Sequence, residues 1–201
     1  MKQIFLSLIL VCFALNMQAQ NQNIELLPPT KSGGKPFFET VNERHSERQF
    51  FKREMPLQTL SDLLWVANGF NRSDKRTVPT ASNKQEMELY VVFDDGVYFY
   101  DAHQHLLVFI AKGDFRVALG QPLISNEAAV NIVLVADTTK SSIESARLSS
   151  GYISQNIYLF AASEGLGTVA RGSFVKDQLP KVLQLKHSQT VILVQPVGYL
   201  K

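Results

Sequence analysis

Cysteine is almost absent from this chain of 201 residues: Cys12 stands alone. One cysteine excludes an intrachain disulfide framework and a Cys-rich zinc site. Excess charge is also absent, since 20 Lys+Arg against 18 Asp+Glu leave +2. That balance gives no electrostatic footprint for nucleic acid, so no nucleic-acid partner is expected. No G-x-S-x-G elbow, P-loop or G-x-G-x-x-G is found, and no internal repeat. The acidic residues are scattered, without a glycosidase-like carboxylate pair. His103-x-His105, with Asp101 and Asp114 nearby, lacks a third ligand fixed by spacing. It reads as solvated turn histidines, and no metal is expected. What is present is 45% apolar residues with mixed charge. That excludes disorder and suits one compact domain, or two small ones at most.

The first residues, MKQIFLSLILVCFALNMQAQ, run from Lys2 through an apolar stretch at 4–15 to Ala19. A basic start, an apolar middle and a small residue at the cut are the layout of a secretory signal. The stretch is shorter than the about 20 residues of a membrane span. The expectation is a signal peptide at 1–19 and an exported protein, periplasmic or secreted, with no stable membrane anchor after cleavage. Cys12 would leave with the signal. Residues 20–35, with Pro28-Pro29 and Gly33-Gly34, read as a linker before a domain at 36–201.

Along that domain, a helix is predicted over 36–46. A second is predicted over 57–68, where Leu57, Leu60, Leu63, Leu64 and Ala67 form an apolar stripe that Gly69 ends. Residues 70–87 read as a polar loop. ELYVVF and VYFYD form a hairpin around Asp94-Asp95-Gly96. A short strand over 105–111 and a buried strand over 129–136 follow. A long helix over 142–164 is stopped by Gly165 and Gly167, a brief helix lies at 175–185, and TVILVQPVG is the last strand. Hairpins and helices mixed without regular alternation indicate an α+β fold.

Three polar clusters sit at element ends. Arg44-His45-Ser46-x-Arg48 puts two guanidiniums, an imidazole and a hydroxyl within five positions. Arg suits phosphate because its planar fork donates two bonds at once. Pro79-Thr80-Ala81-Ser82-Asn83-Lys84-Gln85 has small polar side chains that let a ligand approach backbone. Gly165-Leu166-Gly167-Thr168, followed by Arg171-Gly172-Ser173, offers the same. Taken singly, the first two read as ordinary solvated turns and the glycines as a helix C-cap.

Taken together and in order, these clusters resemble the nitroreductase family of FMN-dependent oxidoreductases. RHSERQF resembles the family's opening Arg-x-Ser-x-Arg/Lys, and PTASNKQ its Pro-Ser-x-x-Asn-x-Gln loop. YISQNIYLFAASEGLGT resembles its central-helix segment, and VQPVGY its closing strand. The resemblance runs from about Phe37 to Lys201, and LLWVANGFNR with GVYFYD is similar to the SagB-type dehydrogenase branch.

The resemblance implies a central, mostly antiparallel sheet flanked by helices and an intertwined homodimer with one FMN in each of two interfacial pockets. By the same carry-over, Arg44 and Ser46 hold the flavin phosphate and ribityl chain, with His45 close by and Arg48 at the pyrimidine edge. Ala81, Ser82 and Asn83 approach from the partner subunit. Gly172 and Ser173 offer backbone N–H groups near flavin N5, Gln155 lines the pocket, and Lys201 joins the phosphate site. The implied activity is ping-pong hydride transfer from a donor such as NAD(P)H to a small-molecule acceptor, a nitroaromatic, quinone or similar compound. Two alternatives stay open: a non-catalytic flavin-binding or accessory protein, and a SagB-like dehydrogenase acting on a peptide or modified amino acid.

Overall fold

The structure is a computed structural model that describes residues 23–201. The expected signal at 1–19 lies outside the described residues. Eight strands form one sheet: β1 (Ile24–Glu25), β2 (Phe50–Phe51), β5 (Met87–Val92), β6 (Gly96–Asp101), β7 (Leu106–Lys112), β8 (Val130–Asp137), β9 (Leu166–Thr168) and β10 (Gln189–Leu200). Their order is β1-β7-β6-β5-β8-β10-β2, with β9 also on β10, and every pairing is antiparallel. A separate small hairpin joins β3 (Phe70–Arg72) to β4 (Lys75–Arg76). The helices are α1 (Phe37–Glu43), α2 (Leu57–Asn68), α3 (Pro122–Ser125), α4 (Ile143–Ser163) and α5 (Leu179–Val182).

Successive strand residues face opposite sides of a sheet, and β8 shows the consequence. Ile132 and Leu134 pack with Leu60, Leu63, Leu64, Ile153 and Ile157 from α2 and α4. Val133 and Val135 pack on the other face with Tyr90, Val92, Ala118, Leu119 and Leu179. A strand covered on both faces needs apolar residues at consecutive positions, which is why residues 129–136 lack alternation. Each fully buried Leu or Ile side chain contributes roughly 1.5–3 kcal/mol, so this double layer fixes the platform on which the loops stand.

Local signals set the helix ends. Helix α2 begins after Pro56, and Gly69 closes it by donating its N–H to the Trp65 carbonyl at 2.8 Å. Ser142 caps α4 by accepting from the Ser145 N–H at 3.2 Å. Gly165, at φ +68°, takes the left-handed turn after α4.

Several expectations need correction. The segment read as linker carries β1 on the edge of β7, and the Thr30 N–H donates to Asp62 of α2 at 2.7 Å. The polar stretch after α2 holds the β3–β4 hairpin and a 3₁₀ turn at Ala81–Asn83. The helix expected at 175–185 is the single turn α5. Arg116–Leu119 (3₁₀) and α3 fill a stretch with no assigned structure. His105 is no solvated turn residue. Its Nδ1 lies 2.9 Å from the Tyr100 hydroxyl, and its Nε2 lies 2.7 Å from Ser61 Oγ and 3.0 Å from the Leu27 carbonyl. Burial holds its pKa below the ordinary histidine value. His103 stacks on Phe70, ring centroids 4.3 Å apart.

Candidate active site

The chain leaves α1 at Arg44, whose N–H still closes the helix on the Thr40 carbonyl. Three residues later the Glu47 N–H donates to the Thr168 carbonyl at 2.9 Å, tying this segment to β9. The Glu47 carboxylate turns inward and accepts from the N–H groups of Gln49 (2.9 Å) and Arg48 (2.6 Å). Those bonds favour its charged form and hold its pKa below the usual carboxylate value. The guanidinium of Arg48 is exposed and, among the described residues, has no ion-pair partner.

Arg44 and Ser46 converge on Tyr158 of α4. The Tyr158 hydroxyl accepts from the Ala170 N–H at 2.9 Å and lies 2.9 Å from Ser46 Oγ. The Arg44 guanidinium sits 5.1 Å above the Tyr158 ring centroid, within cation–π range. One tyrosine therefore joins the exit of α1, the long helix and the chain after β9. Gln155, one helical turn before Tyr158, is exposed on α4. His45 donates from Nδ1 to the Glu43 carbonyl at 2.7 Å, which leaves its Nε2 facing out, 4.0 Å from Glu47.

The second wall follows from Arg171, whose backbone bridges Val194 of β10 in both directions (2.8 and 2.9 Å). Gly172 comes next, and a Cβ built there would meet no atom within 4 Å, so the surface above it is open. Ser173 Oγ accepts from Gln121 Nε2 at 2.9 Å. Gln121 lies in the left-handed region (φ 49°) after Gly120 (φ +67°). Lys201 pairs with Glu127 at 3.8 Å, and its N–H reaches the Gln49 carbonyl at 3.4 Å.

Ala81, Ser82 and Asn83 lie elsewhere. Their turn is held by Asn83 Nδ2 on the Asp74 carbonyl (3.1 Å) and by the Gln85 N–H on Thr80 Oγ1 (3.0 Å). Ser82, Asn83 and Gln85 all have positive φ (51°, 56° and 50°). Three such residues without glycine mark a turn the surroundings impose. Glu86 next to it donates no N–H here but offers its carbonyl to the Asp137 N–H, level with Gln189 of β10. Glu47 instead reaches Thr168, level with Val197. Eight residues of β10 separate these levels, roughly 25 Å at the strand rise.

The structure thus brings Arg44 and Ser46 together, sets Gly172 and Ser173 beside Gln121, and leaves the Ala81–Asn83 turn at the far end of the sheet. Tyr158 and Gln121 were missed from sequence, and Arg171, named there within the Arg171-Gly172-Ser173 cluster, was given no role of its own. Of these only Gln121, between Gly120 and Pro122, carried a local signal of special backbone. A cleft of ≈ 520 Å³ lined by Lys52, Arg53, Tyr98, Arg116 and Asn131 contains none of the expected residues. No group of three or more His, Cys, Asp or Glu able to hold a metal occurs among the described residues.

An antiparallel sheet clasped by helices, with an Arg-x-Ser segment at its edge and an open glycine just after the Arg171 bridge to β10, defines an α+β scaffold. The nitroreductase family profile matches residues 41–199, and the chain belongs to the nitroreductase family, a family of oxidoreductases. It is 29% identical to "Putative nitroreductase MJ1384" of Methanocaldococcus jannaschii, over 78% of this chain and 87% of that protein. The fold matches the crystal structure of "a putative nitroreductase" from Ralstonia eutropha JMP134 with a TM-score of 0.85 and 31% identity, covering 91% and 92% of the two chains. A structure from Desulfovibrio desulfuricans described as "a putative nitroreductase in complex with FMN" shares the fold at a TM-score of 0.61 and 17% identity, covering 83% and 87%.

Proposed function

We propose that this protein is an FMN-dependent oxidoreductase that works as a homodimer, taking reducing equivalents from a nicotinamide and passing them to a nitroaromatic, quinone or similar acceptor. The observation that carries the reading is the convergence of Arg44 and Ser46 on Tyr158, with the unpaired Arg48 guanidinium two residues on. Two guanidiniums outside any salt bridge among the described residues suit a phosphate and an electron-rich ring edge. The open surface above Gly172 lets a flat ring approach backbone. The residues present therefore fit FMN, a relative of the same fold is described as an FMN complex, and bound FMN supplies reversible hydride chemistry.

In this reading Arg44 and Ser46 hold the phosphate and ribityl chain, with His45 alongside and Lys201 at the rim. Arg48 lies where reduction puts negative charge. Gly172, Ser173 and Gln155 line the ring. The Ala81–Asn83 turn cannot reach this pocket within its own chain, and a second copy supplies it. Apolar side chains left exposed on α1 and α4 support that assembly: Phe37, Phe38, Val41, Leu148 and Tyr152 are 46–86% exposed. We also read residues 1–19 as an export signal and the mature protein as periplasmic or secreted.

The test is the purified mature protein. It is expected to be yellow, to release FMN on denaturation, and to bleach on anaerobic mixing with NADH or NADPH. A protein that stays colourless after reconstitution with FMN contradicts the proposal. A yellow protein that no nicotinamide bleaches supports the non-catalytic flavin-binding role instead.

A further inference from the structure

Two buried arginines lie behind the candidate site, and only one is neutralised. Arg116 is 8% exposed and bonds Asp114 with Nε at 2.8 Å and Nη2 at 2.6 Å. Arg171 is 6% exposed, and among the described residues no carboxylate pairs with it. Its Nη1 donates to the Gly120 carbonyl at 3.2 Å and its Nη2 to Ser125 Oγ at 2.9 Å. Ser125, itself fully buried, donates back to the Gly120 carbonyl at 2.7 Å. Among the described residues, the Nε of Arg171 has no hydrogen-bond partner. Burial pushes its pKa down.

A buried guanidinium with neutral partners only is costly to keep. Its place indicates what offsets that cost. Gly172 and Ser173 follow it directly, and the carbonyl it caps precedes Gln121, whose side chain meets Ser173. The charge therefore sits beneath both strips of backbone that border the site.

We propose that Arg171 is a positioned cation that favours negative charge on the ligand held against Gly120-Gln121 and Gly172-Ser173, so that reduced FMN is bound more tightly than oxidised FMN. The inference rests on the FMN reading above. Uptake of a hydride from a nicotinamide, two electrons and one proton, adds one negative charge to the ring while the nicotinamide leaves oxidised and positively charged. Arg171 acts on that added charge through the fixed backbone and is a positioning residue.

The measurement is the midpoint potential of bound FMN, with the affinity of the oxidised form measured beside it. Arg171→Gln removes the charge and keeps a donor. It is expected to cut the preference for reduced FMN at least tenfold, which lowers a two-electron midpoint by about 30 mV. Arg171→Lys, keeping the charge, is expected to restore at least half of that. An unchanged midpoint in Arg171→Gln overturns the proposal. Should that variant fail to fold, the wild type decides: the reduced flavin is expected to lose its N1 proton at a lower pH on the protein than free in solution, and loss at the same or a higher pH overturns the proposal. A wild type that takes up no FMN ends the cofactor reading and this one with it. A yellow wild type whose Arg171→Gln variant keeps its potential ends the Arg171 assignment alone.

Discussion

At the Val197 end of β10 the chain gathers Arg44, Ser46 and Tyr158, and Arg171 bridges Val194 three residues along the strand, with Gly172 following it. At the Gln189 end it builds the Ala81–Asn83 turn, whose bonds go to Asp74, Thr80 and Gln85. The first end has two guanidiniums, Arg44 and Arg48, outside any salt bridge among the described residues, with the Glu47 carboxylate turned onto backbone N–H groups beside them. The second has a turn with three left-handed non-glycine residues and its polar groups bonded locally. A single chain keeps the two ends roughly 25 Å apart along the strand. We read the two ends as halves of one site that a second copy of the chain completes.

The comparison can be broken by removing the cations. Arg44→Ala and Arg48→Ala are each expected to weaken FMN binding by about 2–5 kcal/mol, the usual loss for one charge-assisted contact. Titration of apo-protein with FMN by fluorescence quenching measures it, and unchanged affinity in both variants contradicts the site.

A smaller effect is expected at the hinge of that end. Tyr158→Phe removes the acceptor of the Ala170 N–H and the partner of Ser46. Leaving a partly buried N–H unpaired costs about 1–3 kcal/mol, to be read as lower stability in urea together with weaker FMN binding. A variant that loses neither would show that the convergence on Tyr158 is incidental.

The smallest expected effect is acid sensitivity at a place remote from both ends. Burial depresses the His105 pKa relative to the unfolded chain. A group depressed in this way stabilises the fold above its unfolded pKa, and that contribution is lost as pH falls through the folded value. Protection of the Leu27 and Thr30 amides, measured as exchange relative to the unstructured rate at the same pH, is therefore expected to fall as pH drops below about 6.5 in the segment docked on α2. His105→Gln is expected to remove that dependence.

Much of the scaffold was legible because it rests on local repetition. The apolar stripe between Pro56 and Gly69 placed α2 to the residue. Asp94-Asp95-Gly96 placed the hairpin of β5 and β6, and the unbroken apolar run placed β8. Strand β1 was not legible, since two residues pairing with an edge leave no period to read. The Arg44–Arg48 cluster could be read because its members are adjacent in sequence. Tyr158 and Gln121 could not, and Arg171 could be read only as a cluster member and not as a buried cation, because their roles come from Ser46, Ser173 and Gly120, which lie 112, 52 and 51 positions away. His105 was misread for the same reason, with partners 44 and 78 positions off.

The central claim is that the two ends of the sheet complete one site across two copies of the chain. A mixed dimer tests it most directly. One chain carries Arg44→Ala with Arg48→Ala, the other carries Ser82→Ala with Asn83→Ala, and the two are differently tagged, co-refolded and purified as the heterodimer. Each homodimer is expected to bind FMN poorly, whereas the heterodimer, with both lesions in one site and none in the other, is expected to bind one FMN per dimer with wild-type affinity. A heterodimer that binds no better than either parent would contradict the account.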